Sequence, residues 1–268
     1  TMSAGKSTFI NSITGKNICR SQNMACTSKI HMIINKAYED GYSYEYDHDL
    51  VMTAGSEELL NDNELNKTDM IYVGTSFDGL LRNHRMTIND SPGVNYSENS
   101  EHRDITRKLI KSKRYDLLVY IMNATQLGTY DDAEHLDYVK KQIGNKPVIF
   151  IINKIDEFNP EEENIKKTLE RQIGYIKSHG FKNLVVCPMS SRAAYLAKKS
   201  LNQELSRTET RELNNYIDKF EQMKLTDYYK KLFPDIQIKD EEDERRQLLK
   251  TCGEAYVENI ILSKKTNE

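Results

Sequence analysis

The first eight residues, TMSAGKST, contain the residue types that bind a nucleotide phosphate. An apolar stretch at Phe9–Ile13 follows them and predicts a helix. Backbone N–H groups of a glycine-containing loop that opens a helix hold phosphate oxygens. In this pattern Lys6 is expected to reach the β and γ phosphates, and the Ser7 hydroxyl is expected to bind Mg²⁺. The predicted nucleotide contacts of this segment are Ser3, Ala4, Gly5, Lys6, Ser7 and Thr8.

This phosphate motif is incomplete at its start. The full pattern has another glycine five residues before Gly5, which would precede Thr1 by one residue. A strand leads into such a loop. The sequence therefore predicts that the loop and its strand begin upstream of Thr1. Because Gly-Lys-Ser alone occurs often by chance, the other motifs decide its meaning.

A second motif, Asp90-Ser91-Pro92-Gly93, follows the apolar run Arg85–Asn89. An aspartate at the C-terminal end of a strand beside a phosphate loop can hold Mg²⁺ through a water molecule. Gly93 has no Cβ, so its backbone N–H can approach a γ-phosphate closely. Taken by itself, the motif has an ordinary Ser-Pro-Gly turn as its alternative interpretation.

The third motif, Asn153-Lys154-Ile155-Asp156, ends the apolar run Val148–Ile152 and carries the most information. Guanine presents N1–H and a 2-amino group on one edge, and one carboxylate can accept from both, whereas adenine lacks this pair of donors. Two hydrogen bonds to a charged acceptor discriminate by about 3–6 kcal/mol. Asp156 is the predicted acceptor, Lys154 is expected to lie along the base, and Asn153 is expected to join the loops. The alternative is a polar turn with a solvated Lys154–Asp156 pair.

A fourth motif, Pro188-Met189-Ser190-Ser191, ends the run Leu184–Met189. Its backbone N–H and hydroxyl groups are predicted to contact the guanine oxygen. The four motifs occur in the order that a guanine-nucleotide site needs, with room for one strand–helix unit between Asp90 and Asn153. Together they predict that the chain binds GTP and GDP.

Thr27 is the candidate for a threonine that closes on Mg²⁺ when a γ-phosphate is bound. It lies between the first predicted helix and the first predicted strand of the following region. Ser28 and Thr14 are the alternatives, because hydroxyl residues are common in loops. The predicted Mg²⁺ ligands are therefore Ser7, Thr27 and, through water, Asp90.

The elements that position these motifs alternate between strands and helices. Apolar runs predict strands at Arg85–Asn89, Leu117–Asn123, Val148–Ile152 and Leu184–Met189. Helical patterns occupy His102–Ser112, Asp131–Ile143 and Pro160–His179. Nearly all-apolar strands separated by helices are typical of a parallel sheet covered on both faces. The predicted fold class is α/β, with a mostly parallel central sheet flanked by helices.

Two regions depart from this alternation and are interpreted as insertions within a single domain, 1–268. Residues 30–86 contain β-rich pieces at His31–Ala37, Tyr42–Asp47 and Met70–Val73, which predict extra strands. Residues 195–247 carry apolar residues at helical intervals and predict a helical insertion near the C-terminus. A closing amphipathic helix is expected at Leu248–Leu262.

Composition narrows the classes of partner. The chain has 38 basic and 41 acidic residues, a net charge of −3, so no global positive field favours nucleic acid. Its four cysteines and six histidines lack the spacing of a disulfide framework or a zinc site. No signal-peptide pattern or membrane-length apolar stretch occurs in the sequence. These features favour a cytoplasmic protein.

Four segments, MSAGKSTFIN, DSPGVN, ATQLGTYDD and FIINKIDEF, resemble the GTPase domain of bacterial dynamin-like proteins. The similarity runs from Thr1 to about Lys199 and resumes at Leu248–Leu262. It implies the P-loop GTPase fold, Mg²⁺-dependent hydrolysis of GTP to GDP, and a homodimer formed through the nucleotide face. It also implies catalytic roles for Lys6, Ser3 and Thr27, with a monovalent cation, K⁺ or Na⁺, beside Ser3. Membrane association would need parts absent from this chain, so the full-length protein would be cytoplasmic or membrane-peripheral.

Two positions depart from related GTPases. Met2 stands where eukaryotic dynamins have Gln, and Val94 stands where small Ras-like GTPases have a water-orienting Gln. Hydrolysis is therefore expected to be slow in the monomer and to rise with self-association. Two alternatives are a GTP-binding switch or scaffold with little hydrolysis, and a translation- or ribosome-associated GTPase. The second would need a basic RNA-binding appendage, and none is evident in the sequence.

Overall fold

The computed structural model describes residues 4–19, 30–47, 49–54, 70–91, 100–126, 128, 130–159 and 165–265. The strands in these ranges are β1 Ile30–Asn35, β2 Ser43–Asp47, β3 Asp49–Ala54, β4 Met70–Thr75, β5 Thr87–Asp90, β6 Leu118–Asn123, β7 Val148–Asn153 and β8 Val185–Pro188. The helices are α1 Lys6–Thr14, α2 Ser100–Ser112, α3 Tyr130–Ile143, α4 Ile165–Ser178, α5 Ser191–Asn202, α6 Arg207–Met223, α7 Leu225–Leu232, α8 Glu244–Thr251 and α9 Glu254–Lys265. Short 3₁₀ turns lie at Gly79–Leu81 and Ile155–Glu157.

The second half of the chain builds a parallel sheet in the order β6-β7-β8. Asn123 pairs with Asn153, and Ile152 pairs with Pro188, so these strands end at a common edge. The β7 side chains from Ile149 to Asn153 are buried, as expected for a strand that helices cover on both faces. The predicted alternation of strands and helices is confirmed here, with strand boundaries that differ by only one residue.

The first half of the chain builds a mixed sheet in the order β3-β2-β4-β1-β5. β1 is parallel to β4, whereas the pairs β1·β5, β2·β3 and β2·β4 are antiparallel. The α/β class and the presence of extra strands in this half are confirmed, and these strands form a mixed sheet of their own. One residue separates β2 from β3 in the sequence, and so short a connection can join only antiparallel strands. β3 was absent from the predicted strands.

A cavity of about 960 Å³ lies between the two sheets. Its walls include β5 residues, β6 residues, and apolar side chains of α1 and α2 such as Phe9, Ile10 and Ile110. In the described ranges, β5 and β6 each pair with a strand on one side only. The cavity therefore lies between an edge strand of each described sheet.

Helix α1 is fixed to the end of the chain by a buried ionic cluster. Lys198 of α5 donates to Glu254 at 2.8 Å and to Glu258 at 2.7 Å, both on α9. The Ser12 hydroxyl of α1 donates to the same Glu254 at 3.3 Å. All three charged side chains are at most 3% exposed, so removal of one partner would leave a buried charge uncompensated.

The region after β8 is helical throughout most of its length. In α6 a capping box forms because the Ser206 hydroxyl accepts from the Glu209 N–H, and the Glu209 carboxylate accepts from the Ser206 N–H. The prediction of a single helix at Leu248–Leu262 is wrong, because this range contains the end of α8 and most of α9, and the helical conformation is interrupted between them. Gly253 adopts φ +95 there, a conformation that ends a helix. None of the helices among the described residues is long and apolar enough to cross a membrane.

Candidate nucleotide-binding site

The part of the candidate site that is predicted to bind phosphate, called the phosphate end, is the start of α1 at Gly5 and Lys6. Gly5 precedes the helix with φ +84 and ψ 32, and its carbonyl accepts the first helical hydrogen bond from the Phe9 N–H at 2.8 Å. The N–H groups of the first helical turn have no partner inside a helix and carry its positive dipole end. Lys6 lies in this turn and lines the cavity together with Asp90 and Ser91. The start of α1 therefore combines directed N–H donors with a positive side chain.

Asn153 connects the phosphate end to the base end, which is the part of the candidate site around Asp156 and Ser191 that is predicted to bind the base. Its Nδ2 donates to the Ala4 carbonyl at 2.9 Å, and its Oδ1 accepts from the Ser191 N–H at 2.9 Å. A Cβ on Gly5 would lie 2.4 Å from the same Nδ2. Only glycine fits both this approach and the positive φ. One buried side chain thus holds two of the predicted motifs in a fixed relation.

Asp90 is the buried carboxylate at the phosphate end. It ends β5 and is 3% exposed, and its Oδ2 has no hydrogen-bond partner among the described residues. Burial raises the pKa of Asp90, while the charges of Lys6 and His31, a hydrogen bond from Cys19 and the Ser91 N–H oppose the rise. The enclosed Asp90 Oδ2 is a hard oxygen donor of the kind that Mg²⁺ prefers, and the predicted partner Ser7 lies in the first turn of α1. The residues present therefore fit the predicted cation.

The base end begins where β7 stops. Lys154 adopts φ +66, which is uncommon for a residue with a Cβ, and this turns the chain into the Ile155–Glu157 turn. Asp156 in that turn is half-buried, and its Oδ1 is enclosed without a partner among the described residues. Burial raises the pKa of Asp156, and a hydrogen bond from Ser190 opposes the rise. The Lys154 ammonium pairs with Glu157 at 2.9 Å. This differs from the alternative of a solvated Lys154–Asp156 turn.

The Ser190–Ser191 strand end differs from its prediction in one respect. The Ser190 N–H donates to the Cys252 carbonyl at 3.1 Å, and the Ser191 N–H donates to Asn153. Neither N–H is left for a guanine oxygen, because both satisfy buried partners within the protein. The Ser190 hydroxyl caps α5 by accepting from the Ala193 N–H at 3.1 Å. The Ser191 hydroxyl is buried without a partner in the described structure, so its predicted contact with the base stays a prediction.

Several predicted residues lie outside the described ranges. Ser3, Thr27 and Gly93 belong to this group, as does Ser28. Thr14, the other alternative to Thr27, is buried at the end of α1, where its hydroxyl donates to the Ile10 carbonyl at 2.9 Å. The Thr14 hydroxyl is therefore bonded within α1, and Thr27 stays the prediction for the threonine that closes on Mg²⁺.

The sequence patterns did not indicate Lys219, which also reaches the site. Its Nζ donates to the Asp156 backbone oxygen at 2.6 Å from helix α6. Lys219 follows Asp156 by 63 positions and belongs to the helical insertion, so no local spacing connects the two. The helical periodicity of α6 predicts which residues are buried, but it does not predict which loop the helix covers.

A model of the dynamin family matches residues 1–155 of this chain. The probable transmembrane GTPase FZO-like, chloroplastic, of Arabidopsis thaliana is 27% identical over 202 residues, which cover 74% of this chain and 19% of that protein. The tRNA modification GTPase MnmE of Sulfurimonas denitrificans is 27% identical over 134 residues, 48% of this chain and 29% of that protein. The chain thus spans less than a third of either curated relative.

A solved structure of an oligomerised bacterial dynamin pair, described as a mechanism for long-range sensing and tethering of membranes, has a similar fold. The alignment covers 99% of this chain and 42% of that chain, with a TM-score of 0.52 and 15% identity. At this identity the similarity concerns the fold alone. Because the family model covers more than half of the sequence, the chain belongs to the dynamin family and contains its GTPase domain.

Proposed function

We propose that this domain binds GTP and GDP with Mg²⁺ and hydrolyses GTP. The observation that carries the proposal is the bridge made by Asn153, which joins the Ala4 carbonyl to the Ser191 N–H. On either side of this bridge a carboxylate, Asp90 or Asp156, keeps one enclosed oxygen without a partner in the described structure. Unpaired buried oxygens are costly unless a ligand satisfies them. Their positions suit a metal ion at one end and a base at the other.

At the phosphate end, the α1 N–H groups and Lys6 bind the β and γ phosphates of the nucleotide. The residues that would hold Mg²⁺ are Ser7, Thr27 and, through water, Asp90. When bound, Mg²⁺ neutralises charge on the phosphate oxygens. Of the remaining predicted contacts, Ser3, Ala4, Gly5, Thr8 and Gly93 would supply backbone or hydroxyl donors.

At the base end, Asp156 accepts from guanine N1–H and the 2-amino group, and the Lys154 stem lies along the base. The Ser190 hydroxyl donates to Asp156 and holds the carboxylate in place. Ser191 offers its hydroxyl to the base. Adenine has no donor pair for Asp156, so an adenine nucleotide would leave the enclosed oxygen unsatisfied.

For hydrolysis, the chain holds the transferring phosphate but lacks an obvious water-orienting side chain at Val94 or Met2. We therefore infer that a second GTPase domain meets the first across the nucleotides, ordering Thr27 and a monovalent cation, K⁺ or Na⁺, beside Ser3. The oligomerised state named for the bacterial dynamin pair supports such self-association. The proposed setting is the cytoplasm, with membrane contact only through parts of a longer protein.

The test is GTP turnover per molecule over a wide range of protein concentration, with K⁺ and Na⁺ compared. Because partner-supplied charge compensation contributes about 10³–10⁵ in rate, a rise of at least about tenfold with concentration is expected. A specific rate that stays flat with concentration would contradict dimer stimulation. A rate near zero throughout, with GTP still bound, would favour the switch or scaffold.

A further inference from the structure

The base-reading turn is contacted by a helix that lies outside all four motifs. Helix α6 packs against the Ile155–Glu157 turn, and Lys219 Nζ donates to the Asp156 carbonyl at 2.6 Å. Lys219 is half-buried, and its positive charge also opposes the burial-driven rise in the pKa of Asp156. Asp156 therefore has its backbone oxygen fixed by Lys219 of α6 and its carboxylate held by Ser190.

The neighbouring strand end is fixed in the same way by later helices. The Tyr229 hydroxyl of α7 donates to the Pro188 carbonyl at 2.7 Å, and the Cys252 carbonyl accepts from the Ser190 N–H at 3.1 Å. A Cβ on Gly253 would lie 2.6 Å from the Pro188 oxygen. The helices that follow β8 thus contact both predicted base-reading segments, and Lys219 makes its contact with Asp156 itself.

We propose that Lys219 is a positioning residue for guanine selectivity. Its hydrogen bond to the Asp156 carbonyl fixes the turn so that the carboxylate faces the guanine donor edge. This inference rests on the proposed function, because it assigns Lys219 to the predicted base contact. An ammonium that donates to a carbonyl makes a charge-assisted hydrogen bond, which is stronger than a neutral one. A methionine of similar length keeps the packing of the stem and removes the donor.

Helix α6 does not depend on Lys219 for its packing. Leu213 and Phe220 are buried, and the capping box at Ser206 and Glu209 fixes the helix start. Glu212 also accepts two hydrogen bonds from Arg192 of α5, at 2.9 and 2.7 Å. Lys219→Met is therefore expected to fold with α6 in place.

The experiment measures the affinities of GDP and inosine diphosphate for the wild-type chain and each variant by calorimetry. Inosine lacks the 2-amino group, so the ratio of the two affinities reports the hydrogen bond from that group to Asp156. One hydrogen bond to a charged group gives an expected wild-type ratio of about 10–150. Coupling within one hydrogen-bond network predicts that Lys219→Met lowers the ratio about fivefold or more. Because both ligands see the same folded fraction, partial unfolding leaves the ratio unchanged.

Two variants serve as controls. Lys219→Arg keeps a donor and a positive charge, and its ratio should stay within about twofold of the wild type. Arg211→Met removes a charge from an exposed position of the same helix and should also leave the ratio unchanged. A wild-type ratio in Lys219→Met, or an equal decrease in Lys219→Met and Arg211→Met, would overturn the inference. A wild-type protein with no preference for GDP over ADP would instead overturn the proposed function.

Discussion

The two ends of the candidate site are built differently. At the base end, α6, α7 and the α8–α9 junction all contact the turn at Asp156 or the strand end at Ser190. At the phosphate end, Lys6 and Asp90 line a cavity, and three of the predicted contacts lie outside the described residues. Asn153 is the side chain that links the two ends.

This difference suggests a division of roles. A carboxylate that reads hydrogen-bond donors needs a fixed orientation, and packed helices supply it by holding the backbone. Phosphate binding depends more on charge and on N–H groups, which the start of a helix provides. Changes at the phosphate end should therefore alter affinity for all nucleotides, whereas changes at the base end should alter the preference among bases.

Replacement of Lys6 by alanine should have the largest effect. The Lys6→Ala protein is expected to lose GTP and GDP affinity by about 100-fold or more, because the phosphates lose their main positive partner. Base preference should be unaffected in whatever binding remains. Calorimetry with GDP and inosine diphosphate would measure both quantities, with exposed Lys182→Ala as the control. Undiminished affinity in Lys6→Ala would remove Lys6 from the site.

Substitution of Gly5 tests the link between the two ends. Alanine at this position would adopt an unfavourable positive φ and place its Cβ 2.4 Å from Asn153 Nδ2. We expect a loss of about 2–4 kcal/mol in unfolding free energy, since strain and displacement of Asn153 add. Urea denaturation would measure the loss.

Gly41 provides a matched control for this substitution. Its φ of +83 is nearly that of Gly5, but a Cβ there would meet nothing within 4 Å. Gly41→Ala should therefore cost only about 1–2 kcal/mol, the cost of the left-handed conformation. Equal losses in the two variants would show that the Gly5–Asn153 approach contributes nothing beyond backbone strain.

Asp90→Asn should have the smallest effect on stability and the opposite sign. Burial raises the folded-state pKa of Asp90 above its unfolded value. The resulting stabilisation of the wild type is fully present below the unfolded pKa and is lost as the pH rises through the folded pKa. Asparagine is neutral at every pH. The nucleotide-free variant should therefore be more stable than the wild type near pH 7, by about 0.5–2 kcal/mol.

This stability difference should shrink as the pH falls toward about 4, where unfolded aspartates become protonated. Denaturation of both proteins in urea at a series of pH values would measure it. Mg²⁺-dependent nucleotide affinity should fall in the same variant, because the enclosed oxygen is replaced. A variant that is less stable than the wild type at every pH would show that the Asp90 charge is compensated within the protein.

Much of the fold and of the candidate site could be predicted from the sequence, because one local pattern, an apolar run followed by polar residues, indicates both a strand end and a candidate functional residue. Asp90, Asn153 and Pro188 each end an observed strand, and each lies within one residue of the end of a predicted apolar run. Apolar runs followed by polar residues mark such strand ends in the sequence. These positions come from short-range patterns. The structure was then needed to show how these strand ends lie relative to one another.

What could not be predicted depends on contacts between distant segments. The Ser190 N–H donates to Cys252 and the Asp156 carbonyl accepts from Lys219, and neither pairing leaves a pattern in the local sequence. The break between α8 and α9 falls at Gly253, where close packing on Pro188 excludes a side chain. A glycine within an amphipathic pattern is compatible with a continuous helix, so tertiary packing decides this boundary.

The central claim, that Asp156 reads guanine, is tested most directly by Asp156→Asn with GDP and xanthosine diphosphate. Xanthine has a carbonyl in place of the 2-amino group, and an asparagine amide can donate to it. Calorimetry should show that the wild type prefers GDP and that the variant prefers xanthosine diphosphate, each by about 10-fold or more. A variant that keeps the wild-type preference for GDP would contradict the account.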